Sequence, residues 1–193
     1  MNSSLRQFLE TMYSIVQSIG SNFAGTEEMD KACKYELATF MMYLSASDGT
    51  IDRTESKVIG YYTGLDMTPQ QIGDHIRENN IYSTDFENRV PETVKLLVKA
   101  DNLVYQNNGN VEQFGSELML KAYRGLADEL AGADGEVSLN EKADIDIYIG
   151  NIERYIDDNL LSRKGGATGF TKSKGSGGIQ APTKSGVAAP QKG

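Results

Sequence analysis

The chain has 193 residues, 39% hydrophobic and 24% charged, enough for one full hydrophobic core but short for two ordinary domains. Six of its 19 basic residues (Arg163, Lys164, Lys172, Lys174, Lys184, Lys192) and none of its 27 acidic ones fall after residue 162, so residues 1–162 carry 13 against 27, a net −14. So acidic a body excludes a nucleic-acid-binding domain, which needs a basic surface, and suits cations or basic partners.

No apolar run reaches the length of a membrane span. The first twenty residues show neither a basic start nor a small-residue cleavage pattern, so no signal peptide and a cytoplasmic location are expected. The single cysteine, Cys33, has no internal disulfide partner. Without an Asp or His pattern beside it, it reads as a small buried thiol on a helix rather than a nucleophile.

In chain order, Leu5, Phe8, Leu9, Met12, Val16 and Ile19 recur at steps of three and four, an amphipathic helix that Gly20 is expected to end. A second helix is expected after Gly25, with Thr26 as cap and Glu27 and Glu28 at its positive end, running through Leu37, Phe40, Met41 and Leu44. A third follows Asp52 and carries Val58, Ile59 and Tyr62 up to Gly64. Thr68 and Pro69 open a fourth, to about Glu78. Pro91 opens a fifth, with Val94, Leu97, Val98 and Val104, ending near Gly109. A sixth spans Val111 to Ala133 and a seventh Leu139 to Leu161. No stretch alternates as a strand does. The expected fold is all-α, a bundle of about seven helices over residues 1–162. Residues 163–193, rich in Gly, Ser, Lys and Pro with Phe170 as the lone aromatic, read as a disordered basic tail.

One stretch occurs twice. SASDGTIDRTE, Ser45 to Glu55, is matched by AGADGEVSLNE, Ala131 to Glu141, at an offset of 86 (Asp134 minus Asp48). At that offset Leu44 meets Leu130, Gly49 meets Gly135, Ile51 meets Val137, Glu55 meets Glu141, Ile59 meets Ile145 and Tyr62 meets Tyr148. The match continues into the helices on both sides, which marks a duplicated helix–loop–helix unit.

Two readings of the repeat stand side by side. In the structural one, the glycines supply a left-handed turn after a helix. Ile51 and Val137 pin the loops to the core, and Asp52–Glu55 and Ser138–Glu141 are capping boxes. Asp48 and Asp134 gain nothing from this, because an acid near a helix C-terminus opposes the dipole. In the metal reading, Glu55 counts as position twelve of a calcium loop, which puts Asp48 at five, Gly49 at six and Asp52 at nine. Positions one and three are Leu44 and Ala46, and Leu130 and Gly132 in the second copy, so one loop alone has too few ligands. Paired loops would pool Asp48, Asp52, Glu55, Asp134 and Glu141 around one divalent cation, calcium or magnesium.

The doubled D-G-x-[I/V]-x-x-x-E between helices of an acidic chain resembles the TerB-like family, named for bacterial tellurite-resistance operons. The residues that carry the resemblance are Asp48, Gly49, Ile51, Glu55, Asp134, Gly135, Val137 and Glu141, and it covers about residues 26–160. It implies a compact helical bundle of two pseudo-repeats, a clustered acidic surface for metal cations and a role in bacterial stress response. Ser138 stands where the first copy has Asp52, and the basic tail lies outside the family pattern.

Little else in the sequence points to chemistry. His75, the only histidine, has no Asp, Ser or Cys constellation near it and reads as a surface or half-buried helical residue. The ten tyrosines read as bundle packing. No phosphate-binding glycine loop is present. The chain therefore reads as non-enzymatic: a cation-binding stress-response module, or alternatively a metal-free module whose acidic bundle docks a basic protein partner with help from the tail.

Overall fold

The computed structural model describes residues 1–24, 28–47, 49–109, 111–133 and 139–168. Among these there is no strand, and nine α-helices are present: α1 (Ser3–Ile19), α2 (Met29–Ser45), α3 (Arg53–Thr63), α4 (Pro69–Glu78), α5 (Thr84–Glu87), α6 (Glu92–Asn108), α7 (Gly115–Ala131), α8 (Leu139–Asn159) and α9 (Leu161–Thr168). The all-α expectation holds.

The repeat is legible in the helix boundaries. The helices α2 and α7 begin at 29 and 115 and end at 45 and 131, while α3 and α8 begin at 53 and 139, each pair 86 residues apart. A third pair joins them at an offset of 89. The helices α1 and α6 begin at 3 and 92, end at 19 and 108, and are each 17 residues long. The unit is thus three helices rather than two. Its packing is reciprocal: α1 packs on α7 as its counterpart α6 packs on α2, and α3 touches α7 as α8 touches α2. This exchange is that of a pseudo-twofold.

The helix α2 lies at the centre and is buried without a break from Leu37 to Ser45. A helix covered all round has no polar face to show. Phe40, Met41 and Leu44 pack in one core with Leu9 and Met12 of α1, Val94 and Leu97 of α6, Tyr123 and Leu126 of α7, and Ile152 of α8. Burying each such side chain contributes about 2 kcal/mol.

The helix α1 ends at Ile19 with Gly20 at its C-cap, as expected, but Gly20 keeps a right-handed helical conformation and leads into one π-helical turn, Gly20–Ala24. Other local expectations are corrected. The sixth helix starts at Gly115, not Val111, and the one-turn α5 was not foreseen. The boundary expected at residue 162 falls inside α9, which packs on α6 and α8. Arg163, assigned to the tail, pairs with Glu117 at 2.8 Å and with Asp157. The expected cap Thr26 and residues 169–193 lie outside the described residues. No described helix is long and apolar enough to cross a membrane.

Candidate functional site

The two DG loops leave their helices in the same way. The Ala46 amide donates to the Met42 carbonyl at 3.1 Å, and its counterpart Gly132 donates to Asp128 at 3.0 Å; Ser47 donates to Leu44 at 3.0 Å, and Ala133 to Leu130 at 2.9 Å. Gly49 then takes φ +85°, a backbone conformation that side-chain-bearing residues avoid. Ile51 packs against the core as expected.

At the start of α3 the capping box forms. Asp52 Oδ1 accepts the Thr54 and Glu55 amides at 2.6 and 2.8 Å, and Glu55 Oε2 accepts the Asp52 amide at 2.8 Å. These bonds satisfy donors that the first helical turn otherwise leaves orphaned. Glu141 sits in the first turn of α8 and is buried. Asp48 and Asp134 lie outside the described residues, as do Val137 and Ser138. The structure thus joins Asp52 to Glu55, and among the described residues no group of three or more His, Cys, Asp or Glu is arranged to hold a metal ion. The flanks of the loops do meet. Thr54 and Val58 of α3 line one cavity of about 340 Å³ with Asp128, Glu129, Gly132 and Ala133.

Two carboxylates that the sequence reading passed over act as caps across the fold. Glu36 of α2 accepts the Glu92 amide at 2.7 Å and the Thr93 amide at 3.1 Å, and takes the Thr93 hydroxyl as well, so it closes the N-terminus of α6. Pro91, at the cap position itself, has no side-chain acceptor. Asp101 of α6 does the same for α7, accepting the Gly115 amide at 2.9 Å and the Ser116 amide and hydroxyl at 2.8 and 2.6 Å. Burial pushes the Glu36 carboxyl above the usual range, against the hydrogen bonds from Thr93 that hold it down.

A cluster of rings fills the space between α2, α5, α7 and α8. Phe40 stacks on Tyr148 at 4.8 Å, Phe86 on Tyr148 at 5.4 Å and Tyr43 on Tyr82 at 5.4 Å. The tyrosines here are packing residues first, as expected. The Tyr43 hydroxyl is buried without a well-formed hydrogen bond, although Asp144 and Glu87 lie close enough to act on it. The Tyr82 hydroxyl donates to Asp144 Oδ2 at 3.3 Å.

Burial, and the Glu87 charge beyond it, raise the Asp144 carboxyl above its ordinary value, while the Tyr43 and Tyr82 hydroxyls oppose the rise. A raised carboxyl means that the native state holds the proton more tightly than the unfolded chain does. Its contribution to stability is full below the unfolded Asp value, about 3.9, and is lost as pH climbs through the raised native value. Asp144→Asn removes that loss. The variant is expected to melt above wild type near neutral pH and level with it below about pH 4. A variant that melts lower at neutral pH would overturn this assignment.

Cys33 is fully buried. Burial, with the Glu36 charge behind it, pushes its thiol up to about 12, so it stays protonated at neutral pH. His75 is half-buried, with Nε2 3.2 Å from the Tyr35 hydroxyl and Nδ1 3.2 Å from the Asn79 amide.

A further cavity lies elsewhere, about 520 Å³ between α2, the segment leading into α6 and α8, with Tyr35, Glu36, Phe86, Arg89, Val90 and Tyr148 among its walls. No motif announces it, because its walls come from residues 35 to 148. Compared with models of protein families, with curated proteins and with solved structures, the chain matches none.

Proposed function

We propose that the chain is an acidic helical module that binds a divalent cation, calcium or magnesium, where its two DG loops leave the bundle. The TerB-like resemblance ties such a module to a cytoplasmic bacterial stress response of the tellurite-resistance kind. One observation carries the reading: residues flanking both loops, Thr54 and Val58 after the first and Gly132 and Ala133 before the second, line a single cavity with Asp128 and Glu129. Each loop alone has too few ligands for tight binding, and two at one end can pool theirs. Capping accounts for Asp52 and Glu55 but gives Asp48 and Asp134 no purpose, and an acid near a helix C-terminus calls for a compensating cation.

The test is calorimetric titration of calcium and of magnesium chloride into the full chain. Asp48→Asn and Asp134→Asn should each weaken binding, and the double variant should abolish it. Equal calcium affinity for wild type and the double variant would sink the proposal. Glu55→Gln separates the two duties of that residue. Glutamine still caps, so stability without metal should move by less than about 1 kcal/mol, while cation affinity falls sharply.

A second reading, a metal-free module that docks a basic protein partner on its acidic body, is favoured by the capping box at Asp52 and Glu55, which uses both carboxylates without a metal. It moves ahead if Glu55→Gln changes neither stability nor affinity.

A further inference from the structure

The large cavity between α2 and α8 has features that the cation reading does not use. Its volume, about 520 Å³, lies within the range of small-molecule sites. Phe86 and Tyr148 reach it from the ring cluster, nearly parallel at 20° and 5.4 Å apart, and both are almost fully buried. Tyr35, half exposed, stands at the mouth. These walls form an apolar slot with flat faces.

The charges around the slot are unequal in what they have left to offer. Glu36 has both oxygens on the N-terminus of α6. Lys95 is paired with Glu92 at 2.6 Å. Arg89 pairs with no carboxylate among the described residues. Its charge acts on the Tyr148 hydroxyl, behind burial and the opposing charge of Glu36 on the same slot. An exposed guanidinium with no carboxylate partner, beside the buried rings, offers a planar fork that fits a carboxylate with two parallel hydrogen bonds. What sets Arg89 apart is its place on the wall of the slot, where a cation fits an anion.

The geometry points to a small-molecule site here, whose ligand is a planar aromatic carboxylate, its ring between Tyr35 and the Phe86–Tyr148 pair and its carboxylate on Arg89. The site does not depend on the cation reading.

Three probes of one shape test it: 2-naphthoate, 2-naphthamide and 2-naphthylmethylamine, titrated into the full chain in chelator-containing buffer and followed by NMR. The carboxylate should bind at least tenfold more tightly than the amide, and the amine more weakly still. Shifts should centre on Tyr35, Thr39, Phe86, Val90 and Tyr148. Arg89→Gln should bring the carboxylate down to the affinity of the amide and leave the amide unchanged, while Arg89→Lys should keep part of the preference. Arg89 holds no described side-chain bond, so these variants are expected to fold. The inference is overturned if acid and amide bind alike, if the shifts lie away from the slot, if Arg89→Gln leaves the preference intact, or if none of the three binds at millimolar concentration.

Discussion

Replacing Asp101 by alanine is expected to lower the unfolding free energy by about 3 kcal/mol. Asp101 is almost fully buried, and its two oxygens take the Gly115 amide, the Ser116 amide and the Ser116 hydroxyl. Hydrogen bonds to a charged group contribute about 1.5–3 kcal/mol each and are not additive. A lost helix cap by itself costs up to about 2 kcal/mol. Alanine would also leave Ser116, fully buried, with its hydroxyl unpaired. Gly115 is part of the arrangement, because a Cβ there would come within 3.0 Å of Leu97 Cδ2 and 3.4 Å of Asp101 Oδ1. At about 3 °C per kcal/mol for a chain of this size, the melting temperature should fall by roughly 9 °C. Asn, which keeps one acceptor, should lose less. Urea unfolding that shows a loss below about 1 kcal/mol would mean that α7 does not depend on this cap.

Asp101 also explains where the sequence stopped being readable. Signals carried by neighbouring residues came through. Asp52 with Glu55 forms a capping box, Thr68 caps the helix that Pro69 opens, and Gly64 and Gly109 end their helices in the left-handed conformation. The start of α7 was misplaced because its cap comes from 14 residues earlier, on another helix. The four-residue α5 is too short to show any period. The last helix has a loop-like composition and is tied from outside: Asn102 accepts the Leu161 amide at 2.8 Å and donates to the Asn159 carbonyl at 2.9 Å.

The duplication was legible only where no residue had been inserted or lost. An offset of 86 pairs α2–α3 with α7–α8. The connection from α1 to α2 is three residues longer than that from α6 to α7, which moves α1 and α6 to an offset of 89. In that register Met12 of α1 aligns with Asp101 of α6, so a position that is apolar in one copy is a buried cap in the other. At the candidate site, Asp52 and Glu55 were placed correctly as capping partners because a box is local. The slot beside Arg89 could not be read, since its walls meet only after α2, α5 and α8 have packed.

Glu36→Ala is expected to cost about 2 kcal/mol near neutral pH, the upper end of the range for a helix cap. The change orphans the Glu92 and Thr93 amides, and it strands the hydroxyl of Thr93, which has no exposed surface. Glu36→Gln should recover part of the loss through its remaining carbonyl oxygen. The pH dependence tests the same assignment in another way. Burial raises the Glu36 carboxyl even against the bonds from Thr93. The native state therefore binds this proton more tightly than the unfolded chain. Wild type gains stability as pH falls through the raised value, and the gain is complete below the unfolded Glu value, about 4.3. The alanine variant has no such proton to gain. Its deficit against wild type should therefore widen on acidification and level off near pH 4. Denaturant titrations of both proteins across that window would show this. A deficit that shrinks in acid would mean that the native carboxyl is held below its unfolded value, with the α6 hydrogen bonds outweighing burial.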